Sequence, residues 1–169
     1  FSNAGYSTTT WSVGDLSSWD VSSVTDMRSM FNYAGRNATT WSIGDLSSWD
    51  VSGVKSMYSM FSYAGYNATT WFIGDLSSWD TPSVINMSGM FYSAGYSATT
   101  WSIGDLSGWD TSKVTSMNNM FYYAGYNATT FSLDLSDWDT SAVTNMGNMF
   151  YEAGNNATIA NWSVIIPQT

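Results

Sequence analysis

Four Asn-Ala-Thr triplets are the first residues whose types and spacing could carry chemistry. Asn37-Ala38-Thr39, Asn67-Ala68-Thr69, Asn127-Ala128-Thr129 and Asn156-Ala157-Thr158 each set an asparagine two residues before a threonine. That is the acceptor pattern for N-glycosylation. Asn161-Trp162-Ser163 and Asn86-Met87-Ser88 are weaker N-x-S matches, and Asn86 falls in a segment of helical spacing. One such triplet arises readily by chance, whereas the same triplet at one place in four repeated units carries more weight. The competing reading is that asparagine sets the turn after the preceding glycine. Ser7 and Ser97 replace it in two units and fit either view.

Other side chains recur just as regularly. Thr9, Thr39, Thr69, Thr99 and Thr129, each followed by a second threonine, form hydroxyl ladders. They could accept O-linked sugars or order ice, or simply bond from coil to coil and favour strands. Asp15, Asp45, Asp75, Asp105 and Asp134 make one acidic column; Asp20, Asp50, Asp80, Asp110 and Asp139 make another. Paired carboxylates can do acid–base work or bind calcium between coils. An active site is normally unique, however, and this pair occurs five times. Capping of a following helix and bonding of loop N–H groups explain the columns more simply. Two tryptophan columns, Trp11 to Trp101 and Trp19 to Trp138, read as core rather than as sugar platforms. Tyr6, Tyr66, Tyr96 and Tyr126, with Arg36 and Asn155 in the same column, are less constrained and suit a partner or glycan-packing surface.

Composition narrows the chemistry. The 169 residues include no cysteine and no histidine, so disulfides, thiolate metal sites, a thiol nucleophile and the usual general base are all excluded. No catalytic residue, resident metal or cofactor is expected. The net charge of −9, with four basic residues, argues against nucleic acid as a partner. No apolar run approaches the roughly 18 residues that a membrane span requires. Only 10% of residues are charged, against about 25% in ordinary domains.

The elements that position these residues come from an internal repeat. Phe1, Phe31, Phe61, Phe91 and Phe121 recur every 30 residues, then Phe150 after a unit that lacks the glycine before Asp134. The units are 1–30, 31–60, 61–90, 91–120 and 121–149, with a divergent tail at 150–169, and together they read as one solenoid over 1–169. All ten methionines fall in two columns, beginning at Met27 and Met30. Val24, Met27, Met30, Phe31 and Ala34 follow the period of an amphipathic helix. The spacing predicts a helix of about three turns over 22–34, capped by Asp20 or Ser22 and closed by Gly35. Pro82 fits its first turn in the third unit. Trp41–Ile43 alternates like a short strand. The expected fold class is therefore α/β, a leucine-rich-repeat-like solenoid with one short parallel strand and one short helix per coil. Strands stack about 4.8 Å apart and helices about 10 Å, so full helices would force curvature.

Trp19-Asp20-Val21-Ser22 through Val24, Met27, Met30 and Phe31, returning four more times, resembles the bacterial surface protein 26-residue repeat, also described from Mycoplasma lipoproteins. The resemblance implies a secreted or surface-displayed, leucine-rich-repeat-like solenoid acting in adhesion or surface architecture. The 30-residue period is longer than that family's unit, and the extra length lies around A-G-Y-N-A-T-T.

These features favour an extracellular or cell-surface, non-enzymatic protein. The first expectation is a glycosylated subunit of a surface fibre, self-associating end to end. Its support is an apolar first coil beginning at Phe1, as in a processed or partial chain, and the apolar stretch Val164-Ile165-Ile166-Pro167 in the tail. The alternative is an adhesin that binds glycans through its aromatic face. An ice-binding solenoid is a third expectation.

Overall fold

The computed structural model describes residues 1–157 and the backbone of 159–164. Each unit closes one coil, and consecutive coils stack in parallel. On one side lie short strands: β1 (Thr10–Ser12), β2 (Thr40–Ser42), β3 (Thr70–Phe72), β4 (Thr100–Ser102), β5 (Thr130–Leu135) and β6 (Ile159–Val164). They pair as β1–β2, β3–β4 and β5–β6, with Thr10 opposite Thr40, Thr70 opposite Thr100 and Thr130 opposite Ile159. On another side a column of parallel bridges runs Asp26, Ser56, Asn86, Ser116, Asn145.

Strand length follows from one glycine. In the second coil Gly44 takes φ 78° two residues past the end of the strand and turns the chain away. The fifth unit lacks that glycine, and β5 runs on to Leu135 with strict alternation of exposed and buried residues.

The structure overturns the α/β expectation. Over 22–34 there is no helix, and among the described residues the only helical element is one 3₁₀ turn at Leu76–Ser78. The segment is instead a run of turns with alternating bonding partners. Met27, Ser29, Phe31 and Tyr33 donate their N–H to Ser56, Tyr58, Met60 and Ser62 of the next coil at 2.8–3.0 Å. The residues between them, Met30, Asn32 and Ala34, donate three positions back within the same coil. Ser29, Tyr33 and Gly35 sit at φ 55°, 56° and 54°, the left-handed region, which no right-handed helix passes through.

The physical reason is spacing. Coils joined by parallel strands are about 4.8 Å apart, too close for helices side by side, so alternate N–H groups are turned outward to bond the neighbouring coil. A non-glycine left-handed residue costs roughly 1–2 kcal/mol, and each is offset by the coil-to-coil bonds it permits. The i, i+3, i+4 apolar spacing is still used, because this run of turns buries Met27, Phe31 and Ala34 as well. The helix-cap roles expected of Asp20, Ser22, Pro82 and Gly35 go with the helix, as does the leucine-rich-repeat-like architecture.

Gly35 is required for a different reason. A Cβ there would come within 2.5 Å of Trp41 Cδ1. The indole packs flat on the glycine, and its Nε1–H donates to the carbonyl of Ala34 at 2.9 Å. Trp71 and Trp101 repeat that bond with Ala64 and Ala94. The second tryptophan column ties coil to coil: Trp49, Trp79, Trp109 and Trp138 donate to the carbonyls of Leu16, Leu46, Leu76 and Leu106 of the preceding coil. Between the columns the phenylalanines stack face to face, with Phe31 and Phe61 at 5.4 Å and 3°.

Candidate functional site: a tyrosine face

Three side-chain columns on the Phe-x-Tyr-Ala-Gly-Tyr stretch of each coil form the candidate site. They are Tyr6, Arg36, Tyr66, Tyr96 and Tyr126; Tyr33, Tyr63, Ser93 and Tyr123; and Tyr92, Tyr122 and Tyr151. The turn run positions them. Tyr33, Tyr63, Ser93 and Tyr123 all take φ between 52° and 56°, and each N–H bonds the next coil. Side chains at one repeat position are thereby held in register along the stack.

The rings touch throughout. Tyr66 stacks on Tyr96 at 4.6 Å and 7°, and Tyr96 on Tyr126 at 4.7 Å and 3°. Tyr33 stacks on Tyr63 at 4.6 Å, and Tyr92 on Tyr122 at 4.7 Å. Tilted contacts cross between columns, as with Tyr63 and Tyr92 at 5.2 Å and 46°. Every tyrosine except Tyr58 belongs to this one network. Near-parallel stacking along the coil axis has a chemical consequence. The flat faces are taken up by neighbouring rings, so the face meets solvent with ring edges and phenol oxygens rather than with platforms.

Arg36 shows what the first column accepts. Its guanidinium lies 4.7 Å from the Tyr66 centroid and 5.7 Å from that of Tyr6, a planar cation in a ring's place. Its NH1 donates to Asn37 Oδ1 at 3.2 Å, while Nε is buried with no hydrogen-bond partner. Desolvation pushes the Tyr33, Tyr66, Tyr92, Tyr96 and Tyr123 phenols above the ordinary tyrosine range, and at Tyr92 a hydrogen bond with Tyr63 adds to the rise. These groups stay neutral and hydrogen-bonding at any physiological pH.

Of the other candidates from the sequence, the asparagines lie beside this face. Asn37, Asn67 and Asn127 are half-buried next to the tyrosine column. The exposed Asn156 donates from Nδ2 to Asn127 Oδ1 at 2.7 Å. Thr158 and the side chain of Asn161 lie outside the described residues, as does Ile165-Ile166-Pro167. Thr9, Thr39, Thr69, Thr99 and Thr129 are exposed, and from Thr39 onward each hydroxyl donates to the threonine carbonyl one coil back at 3.1–3.3 Å. The second threonine of each pair opens a strand and is exposed too. The aspartates accept loop N–H groups two residues on, Asp15 from Ser17 at 2.9 Å and Asp20 from Ser22 at 3.0 Å. The Ser22 hydroxyl, which donates to Asp20 at 2.6 Å, and these backbone bonds hold both carboxyls below the usual carboxylate range. Among the described residues no three acidic side chains converge on a cation site, and no helix is long and apolar enough to cross a membrane.

Sequence reasoning singled out the Tyr6–Tyr126 column but passed over the two beside it. The signal was present: Tyr33, Tyr63 and Tyr123 share the third place of the unit, and Tyr92, Tyr122 and Tyr151 the second.

A family model described as "Mycoplasma protein of unknown function, DUF285" matches residues 1–102 and 92–166. No curated protein and no solved structure matches the chain.

Proposed function

The chain belongs to the Mycoplasma repeat-type family of unknown function DUF285, and we propose that it is an extracellular, non-enzymatic surface protein that adheres to glycans through its tyrosine face. The observation that supports this is the continuous network of stacked tyrosine rings along one side of the coils. A row of neutral phenols at a coil spacing of about 4.8 Å offers regular hydrogen-bonding groups to an extended polyhydroxylated chain. Absence of cysteine and histidine from the sequence, and the repetition of every carboxylate pair, argue against catalysis. The glycosylation readings at Asn37, Asn67, Asn127, Asn156 and Asn161 belong to the same proposal. Sugars at these sites would border the adhesive face and hydrate a surface poor in charge.

Assembly into a surface fibre is the companion proposal. It draws support from the coil register, in which each coil both donates to and accepts from its neighbours. Stacks from two copies could therefore continue one ladder. Electron microscopy of purified protein reads it directly: filaments support assembly, and dispersed particles at all concentrations count against it.

For adhesion the experiment is a glycan array probed with the purified chain and with a Tyr66→Ala/Tyr96→Ala/Tyr126→Ala variant. Saturable binding that the variant loses is the expected result. Absence of saturable binding by the native chain overturns the proposal.

A further inference from the structure

The middle tyrosine column is interrupted once, in the fourth coil. Tyr33 and Tyr63 precede the interruption and Tyr123 follows it, but Ser93 stands between them. The backbone there is unchanged. Ser93 has φ 52° where the tyrosines have 54–56°, and its N–H makes the same bond to the next coil, to the Tyr122 carbonyl at 2.7 Å. Only the ring is missing.

What remains is a cavity of about 260 Å³ bordered by Tyr63, Tyr66, Tyr92, Tyr96 and the pair Tyr122 and Tyr123, with the buried Ser93 at its floor. Tyr63 and Tyr123 occupy the same place two coils apart, so their backbone positions are separated by about 9.6 Å, twice the strand spacing. One planar ring halfway between them would lie about 4.8 Å from each, close to the 4.6 Å at which Tyr33 and Tyr63 stack. The neighbouring column shows that such a place need not be filled by tyrosine: at the corresponding break Arg36 lays a planar guanidinium over the Tyr66 ring.

We propose that the Ser93 notch is a binding site for a single aromatic ring of phenol size, which enters between Tyr63 and Tyr123 and completes the column. The bound ring gains stacking on both sides, and its hydroxyl joins the surrounding phenols. Tyrosine side chains on a partner and free phenols share this chemistry. The site does not depend on the glycan proposal, because it uses the place where the middle column lacks a ring.

The test is titration with p-cresol, the tyrosine side-chain analogue, followed by NMR of the aromatic region on the full chain. Expected is saturable one-to-one binding, weakened at least ~tenfold in Ser93→Tyr, where the chain's own ring fills the notch. The readout is p-cresol binding itself, so failure of the glycan proposal leaves this one standing and failure here leaves that one untouched. Should Ser93→Tyr not fold, Tyr63→Leu removes one wall and should weaken p-cresol by a similar factor. A second arm uses a short tyrosine-containing peptide. If it competes with p-cresol, the natural ring comes from a protein, and p-cresol binding alone points to a free phenol. No saturable p-cresol binding, or equal binding by Ser93→Tyr, overturns the proposal.

Discussion

The strand side and the tyrosine side of the stack are built on the same coils, yet they tolerate change very differently. The inner column runs Trp11, Trp41, Trp71, Trp101 and Phe131, aromatic at every step. The outer columns admit Arg36, Ser93 and Asn155 among their tyrosines. Inside, Trp71 is fully buried, stacked on Trp41 and Trp101 at 5.5 and 5.4 Å, and tied to Ala64 by its N–H. Outside, the rings are half-buried or, at Tyr6 and Tyr151, exposed, and a missing one leaves a space without disturbing the backbone. The inner ladder therefore holds the coils together, and the outer ladder is where coils acquire individual surfaces.

The sharpest way to break this comparison is to truncate one ring on each side. Trp71→Ala should lower unfolding free energy by about 3–5 kcal/mol. Tyr96→Ala should cost about 1 kcal/mol, as expected for a half-exposed stacked ring. Urea unfolding of both variants checks the ratio, and equal costs would erase the distinction. Gly35→Ala comes next. A left-handed alanine whose Cβ meets the Trp41 ring should cost about 2 kcal/mol or more, while a glycine with open space around its Cβ, Gly14, should lose only the strain of its φ. Ser93→Tyr should run the other way and stabilise by about 0.5–1.5 kcal/mol, one further stacked pair. The smallest effects concern pH. The raised phenols bind their protons more tightly in the folded chain than in the unfolded one. Their contribution is complete below the ordinary tyrosine value of about 10 and is lost as pH climbs through the raised values. Absorbance titration should show these phenols ionising late, together with loosening of the outer face. The lowered Asp20 and Asp50 act oppositely. Their contribution is present above the ordinary aspartate value of about 3.9 and disappears as pH falls through the depressed values.

Much of this was legible in the sequence, for physical reasons that can be named. The 30-residue register, the methionine and tryptophan core and a short strand around Trp41, expected over Trp41–Ile43 and found at Thr40–Ser42, all follow from side chains that recur at fixed places. The helix over 22–34 did not form. Apolar spacing reports which residues face inward, but not whether alternate N–H groups bond within the coil or to the next one. Strand spacing decided that, and it is a property of the stack rather than of any single unit. Non-glycine residues at left-handed φ, Ser29 and Tyr33 among them, gave no warning, since neither type favours that region. The serine at the third place of the fourth unit is visible in the register between Tyr63 and Tyr123, but the space it leaves depends on how the neighbouring rings pack. For the sequons, the asparagines lie beside the tyrosine face, and the amides of Asn127 and Asn156 bond each other. Whether sugars occupy them is read by intact mass before and after deglycosylation, against the 18.6 kDa of the bare chain.

The central claim is that the outer ladder recognises ligands through phenol oxygens at ring edges, while stacking merely holds the rings in place. A Tyr66→Phe/Tyr96→Phe/Tyr126→Phe variant isolates it, because stacking survives and only hydroxyls are lost. Measured together, glycan binding should fall at least about tenfold with Tm nearly unchanged. Binding equal to that of the native chain would contradict the account.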